Sequence, residues 1–170
     1  MKTKIFIQVL FFLIVCNSCH TSKETKDKPL RFTYLSKHLE DTNTRVKEVV
    51  LVENPSKNSD SLKLQLLNYQ EKFGRQKIKT IIENRTKNYT MQFYYKTTNT
   101  TPFINGTKHP DFLSNIYIYD YADSDYLGTI YFKKCDKLID KWVGGIYIEI
   151  RDDKGGLLNV KKYSLINECE

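Results

Sequence analysis

The sequence predicts an α+β domain: a mostly antiparallel β-meander with one main helix packed on the sheet. Two observations carry this. One amphipathic stripe is bounded by a cap signal and a glycine, and a train of short alternating segments follows it, separated by turn residues. No internal repeat interrupts the pattern.

The elements follow in chain order. Val46 to Glu53 is valine-rich and stops before Pro55, which reads as a strand. After the turn residues Asn54 to Asn58, Asp60 or Ser61 is placed to cap a helix. Leu62, Leu66, Tyr69 and Phe73 then form one stripe, with Lys63, Gln65, Gln70 and Lys72 off it, and Gly74 suits the residue after the helix end. Lys77 to Glu83 fits either a helix, through Ile78, Ile81 and Ile82, or a strand, through Ile78, Thr80 and Ile82. Strands are expected at Tyr89 to Thr97, Ile116 to Tyr121, Thr129 to Phe132 and Ile146 to Ile150. Asp123 to Asp125, Asp136 to Lys141 and Asp152 to Gly156 supply the turns, and strands joined this way pair antiparallel.

The first nineteen residues carry an address. Lys2 and Lys4 give a positive start, and Ile5 to Val15 is apolar except at Gln8. That run is too short to span a hydrocarbon core, which needs roughly 20 residues, and matches a signal-peptide apolar region. It ends in Cys16-Asn17-Ser18-Cys19, a small residue directly before a cysteine. The segment resembles the signals of small Bacteroidetes-type bacterial lipoproteins; Cys16 and Asn17 depart from the Leu-Ala type residues most such boxes carry. A lysine-rich, alanine-poor composition agrees, Ala122 being the sole alanine. The resemblance implies cleavage before Cys19, acylation of that cysteine with palmitate-type chains, and tethering outside the cytoplasm, at the outer membrane more than the inner. Several chains together give durable anchoring. Cys16 is the rival acceptor, but bulky Val15 precedes it. The alternatives are an ordinary signal peptide cut elsewhere and a short membrane anchor that is never cut.

Three segments follow: a signal peptide over 1–18, a lipidated cysteine and flexible polar tether over 19–30, and a single α+β domain over 31–170. Losing residues 1–18 removes two lysines and no acids, taking the formal charge from +7 to +5. Charge that modest, without clustering, gives no nucleic-acid footprint. Cys135 and Cys169 are candidate disulfide partners in an oxidising compartment, the alternative being two free or buried thiols.

Chemistry-bearing motifs are scarce. If the strands pair as drawn, Tyr117, Tyr119, Tyr121, Tyr131 and Tyr147 stand opposite an isoleucine face. Tyrosine supplies large amphipathic contact area, so this row is a candidate binding surface for a protein or envelope ligand; the alternative is a face packed under the helix. Asp120, Asp123 and Asp125 are spaced like part of a calcium loop but lack its glycine and glutamate, so they read as turn residues, as do Asp152 and Asp153, and no metal is expected. His20, His38 and His109 share no ligand spacing, and nucleophile-elbow, Walker and CxxC motifs are absent, so no cofactor is implied. Asn84, Asn88, Asn99 and Asn105 head glycosylation sequons that follow from an Asn- and Thr-rich composition, and Asp60-Ser61-Leu62 resembles a short O-glycosylation acceptor or a helix cap. Thr97 to Pro110 is the longest loop. These residues favour a non-enzymatic binding domain, for example of immunity or inhibitor type. The alternative is a small envelope hydrolase with paired carboxylates.

Overall fold

A computed structural model describes residues 28–35, 40–42, 44–84, 88–105, 118, 122–135, 141–167 and 169, with backbone alone at 40, 41, 75–84 and 167. The strands are β1 (Arg31–Tyr34), β2 (Glu40–Asp41), β3 (Arg45–Glu53), β4 (Asn88–Tyr95), β5 (Tyr126–Lys134), β6 (Trp142–Arg151) and β7 (Leu157–Asn167). The helix α1 (Ser59–Asn84) lies between β3 and β4, and short 3₁₀ turns occupy Thr101–Asn105 and Asp123–Asp125. One sheet holds them all in the order β1-β3-β4-β5-β6-β7, with β2 pairing on β3 beside β1.

The α+β class and the mostly antiparallel sheet agree with the sequence reading; one pairing does not. β3 and β4 are parallel, Arg45 opposite Asn88 through Val52 opposite Tyr95. The physical cause is α1. A helix crossing the sheet returns the chain to the end where β3 began, so the next strand runs in the same direction. From β4 onward every pairing is antiparallel.

The helix differs from its expected bounds at both ends. Asn58 caps it, its Oδ1 accepting from the Asp60 and Ser61 backbone N–H groups at 3.1 and 3.0 Å. Gly74 does not end it: the backbone continues helically through Lys77–Glu83 to Asn84. The buried row is Ser59, Leu62, Leu66, Gln70 and Gly74, while Phe73 is 60% exposed. A Cβ at Gly74 would meet Gln70 Nε2 at 3.3 Å and the Tyr89 hydroxyl at 3.5 Å. The glycine lets the helix lie close over β4, which is a packing role and not a stop signal. Tyr163 donates to Asp60 Oδ1 at 2.7 Å and ties the helix start to β7.

Each sheet face has its own apolar cluster. Against α1 sit Val46, Val50, Val52, Tyr89, Met91, Phe93, Ile130, Phe132, Ile146, Ile148 and Ile150. This is the isoleucine face anticipated from the alternation. Among them Glu48 is buried, accepting from Tyr34 and Tyr89 hydroxyls at 3.2 and 2.5 Å. Burial first and the Glu48 charge second push both phenols well above the usual tyrosine range. On the opposite face Leu35, Val49, Leu51, Tyr94, Phe103, Ile118 and Ala122 pack together. Phe103, Ile118 and Ala122, from the chain between β4 and β5, therefore cover the β3–β4 half of that face. Its start is fixed by Thr100, whose hydroxyl donates to the Tyr95 carbonyl at 2.7 Å, and by Thr97, which donates to Asp125 Oδ2 at 2.8 Å.

The alternation predicts a strand over Ile116 to Tyr121, yet Ile118 is helical and buried, and the Ala122 N–H donates to its carbonyl at 2.8 Å. An apolar residue that packs by one helical turn and one that alternates in a strand look alike over so few residues. Tyr117, Tyr119 and Tyr121 lie outside the described residues. β1, β2 and β7 were not anticipated. Pro29 and Leu30, assigned to the tether by composition, join the domain: Asn54 Nδ2 donates to the Pro29 carbonyl at 3.0 Å and Leu30 packs on the core.

Candidate binding surface

Phe103, Ile118 and Ala122 cover the β3–β4 half of the second face; among the described residues nothing comparable covers its β5–β7 half. Strand register places its side chains in two rows. Lys47, Thr90, Tyr131, Gly145 and Ser164 face the same way across β3 to β7, and Val49, Gln92, Thr129, Tyr147 and Lys162 form the next row. Tyr131 and Tyr147 thus stand diagonally on neighbouring strands, opposite Ile130, Ile146 and Ile148.

Each tyrosine is held. Tyr131 sits directly across from Gly145, where a Cβ would fall 2.7 Å from Tyr131 Cζ. The missing side chain lets the ring lie down over the β6 backbone, leaving Tyr131 42% exposed. Tyr147 is fixed at its phenol instead, donating to Glu149 Oε1 at 3.0 Å. That bond to a carboxylate, with some desolvation, raises the Tyr147 hydroxyl pKa. Arg151 Nη2 donates to the other Glu149 oxygen at 2.8 Å and lies 3.6 Å from Asp123 Oδ2. The Arg151 Nε is buried without a hydrogen-bond partner among the described residues. Lys162 Nζ stands 5.6 Å over the Tyr147 ring, a cation–π contact. Tyr126, beside Thr129 at 2.5 Å, has its phenol pushed up to about 12 by burial.

Charges of both signs border these rows: Glu40 pairs across from Lys47, and Asp123 lies beside Arg151. Arg45 and Lys133 lie beyond Lys47 and Tyr131 on the same face, and Lys162 lies across the sheet on β7. Arg45, Lys133 and Lys162 are exposed and Lys47 is partly so. Glu149, the acid flanking Tyr147 on β6, is engaged by the phenol and by Arg151.

Of the residues singled out from sequence, Tyr131 and Tyr147 come together here. Cys135 and Cys169 are joined by a disulfide with Cα atoms 5.8 Å apart, which ties the end of the chain past β7 to the end of β5. Cys19, Asp120, His20, His38 and His109 lie outside the described residues. Asp152 closes the β6–β7 turn, its Oδ1 accepting from the Lys154 and Gly156 N–H groups at 2.9 and 2.6 Å, with Gly155 at φ 81°. Among the described residues no group of three or more His, Cys, Asp or Glu side chains could hold a metal ion, and no helix is long and apolar enough to cross a membrane. Sequence reasoning missed Gly145, Arg151 and Lys162, and it placed Glu149 beside Tyr147 only as a strand residue alternating with the isoleucines. Glu149 and Arg151 continue the two-residue period from Tyr147 and were findable; Lys162 was not, because β7 itself was unseen.

Fold and surface together define an α+β domain with a helix packed on one sheet face and, among the described residues, exposed or partly exposed tyrosines on part of the other. No family model, curated protein or solved structure matches the chain.

Proposed function

We propose that this protein is an exported lipoprotein, held to a membrane by lipid on Cys19 with its domain outside the cytoplasm, and that the domain is a non-enzymatic binding module. It engages a partner protein or envelope ligand through the face of Tyr131 and Tyr147, in the manner of an immunity or inhibitor protein. The observation that carries the binding reading is the pair of pre-positioned tyrosines: one ring laid over Gly145, the other pinned through Glu149 and Arg151. Large aromatic groups already fixed in place lose little conformational entropy on contact. A hydrolase with paired carboxylates draws no support from an arrangement in which Glu149 and Asp123 meet across Arg151.

Anchoring and binding are tested separately. Cys19→Ala is expected to move the protein from membranes to the soluble fraction or to leave the precursor unprocessed; unchanged fractionation and mass sink the anchor. For the surface, a photo-crosslinking phenylalanine analogue placed at Tyr131 or Tyr147 in living cells should give a discrete adduct, and one at exposed Asp153 should not. No adduct from the sheet face, or equal adducts from all three positions, overturns the binding reading.

A further inference from the structure

We infer that the end of the sheet where Leu157 and Leu158 open β7 rests on the membrane that carries the anchor, with those leucines in its interfacial layer, an inference that rests on the anchoring part of the reading above. One end of the sheet gathers the starts of β1, β5 and β7 and the ends of β3, β4 and β6: Arg31 stands opposite Glu53, Val52 opposite Tyr95, and Arg151 opposite Leu157. The chain from Cys19 enters the domain at this end, where the Pro29 carbonyl accepts from Asn54 Nδ2 at 3.0 Å. The start of α1 lies here too, Asn159 Nδ2 donating to Ser59 Oγ at 3.3 Å.

Chain length decides which end meets the bilayer. Pro29 stands ten residues after Cys19, and ten residues reach at most about 35 Å when fully extended. Strand β3, nine residues long, separates the two ends of the sheet by about 30 Å. To put the opposite end on the membrane, the connection would have to run almost straight along the whole domain, at a large loss of conformational freedom. The end at Pro29 meets the surface without that loss.

What this end offers is apolar. Leu157 and Leu158 are 59% and 61% exposed, and Leu64, in the second turn of α1, is 59% exposed. Neighbours in a regular strand point to opposite sides of a sheet. Here the register slips between Ile150 and Arg151, leaving Leu158 with no opposite residue on β6, and both leucines stay out of the core. Charges at this end offset one another among the described residues: Lys96 with Glu53, Lys57 with Asp153 and Arg151 with Asp123. The contact is therefore apolar insertion, indifferent to headgroup charge. A few leucines bind a bilayer weakly alone, but an anchor that already holds them at the surface makes weak contacts count.

The mature chain, lipid and disulfide intact, is reconstituted in phosphatidylcholine vesicles with and without brominated acyl chains. Trp142, the sole tryptophan, opens β6 at the opposite end of the sheet and reports that end in the unaltered chain. Leu158→Trp and, separately, Leu157→Trp place a reporter at the contact, and Lys133→Trp, near Trp142, is the control. The emission added at 157 or 158 should shift to the blue and lose roughly half or more of its intensity to bromine, as for groups lying about 5–10 Å into the interface. Trp142 and the control should ignore bromine, and phosphatidylglycerol in the vesicles should change nothing. All three replaced side chains are exposed, and thermal melts check that the fold is kept.

Quenching at both ends alike, or at neither, in chains that float with the vesicles overturns the inference and leaves the anchor standing. A blue shift without quenching, together with a dimer by light scattering, assigns the leucines to a second copy and overturns it as well. A chain that carries no lipid by mass and does not float takes down the anchor, and this inference with it.

Discussion

The two faces of the sheet are made by the same strands, residue by alternate residue, yet they do opposite work. Facing α1, Val50, Phe93, Ile130 and Ile148 are fully sealed. On the reverse of the same strands, Val49 and Tyr94 are sealed while Thr129 and Tyr147 are partly open and Tyr131 is exposed. Composition alone does not separate them, since both carry aromatic and β-branched residues. Among the described residues what separates them is cover: a helix packs on one face, while Phe103, Ile118 and Ala122 cover only the β3–β4 part of the other. A tyrosine under cover contributes to stability; one beyond it is held in position without being buried.

Substitutions break that comparison unequally. Phe93→Ala on the face toward α1 should cost about 4 kcal/mol in urea unfolding, the lost transfer energy plus the cavity left beside Tyr69 and Val50. An equal loss from Tyr131→Ala would erase the distinction between the faces. Removing the disulfide by Cys135→Ser/Cys169→Ser should cost roughly 3.5 kcal/mol by the chain-entropy argument for a separation of 34 residues, without altering crosslinking from the open face. Binding lost together with stability would show that the open face depends on that clamp.

Glu48→Ala should cost about 2 kcal/mol, because it strands the buried Tyr89 hydroxyl in the interior. Tyr34 and Tyr89 predict an alkaline limit. Both phenols have folded values raised above 10.0, so their contribution is complete below pH 10 and is lost as pH rises beyond it. Urea midpoints should therefore fall above pH 10, and less steeply in Tyr89→Phe. On the acid side, the hydrogen bond from Lys96 lowers Glu53 and that from Tyr163 lowers Asp60. Their contribution is present above about pH 4 and is lost as pH falls through the depressed values.

The smallest stability effects belong to the open face: Tyr131→Ala should lose under about 1 kcal/mol and Lys162→Glu under about 0.5 kcal/mol, while both weaken binding. Stability losses beyond these sizes would mean the face is structural.

Much of the fold was legible because period-two alternation is local. Ile146, Ile148 and Ile150 against Tyr147 and Glu149 announce both the strand and its two faces, and Ile130 with Phe132 does the same. β7 escaped because Lys161 and Lys162 interrupt its apolar pattern, and charged residues of this kind are common on edge strands. Gly74 misled because a glycine that permits close packing and one that ends a helix are the same letter. Of the surface, Tyr131 and Tyr147 could be placed on one face, but Lys162 and Gly145 join them only through register.

The amino-acid order by itself determined the helix, its position ahead of β4, β5 and β6, and which side of β5 and β6 faces the core, because these follow from nearest-neighbour periodicity and turn chemistry. Only the tertiary structure decided that β3 and β4 run parallel, that Gly145 receives the Tyr131 ring, and that Glu149 and Arg151 pin Tyr147 beside Lys162. Those are pairings between residues distant in the chain or contacts set by packing, and no local pattern encodes which strand a helix delivers the chain to or which face remains uncovered.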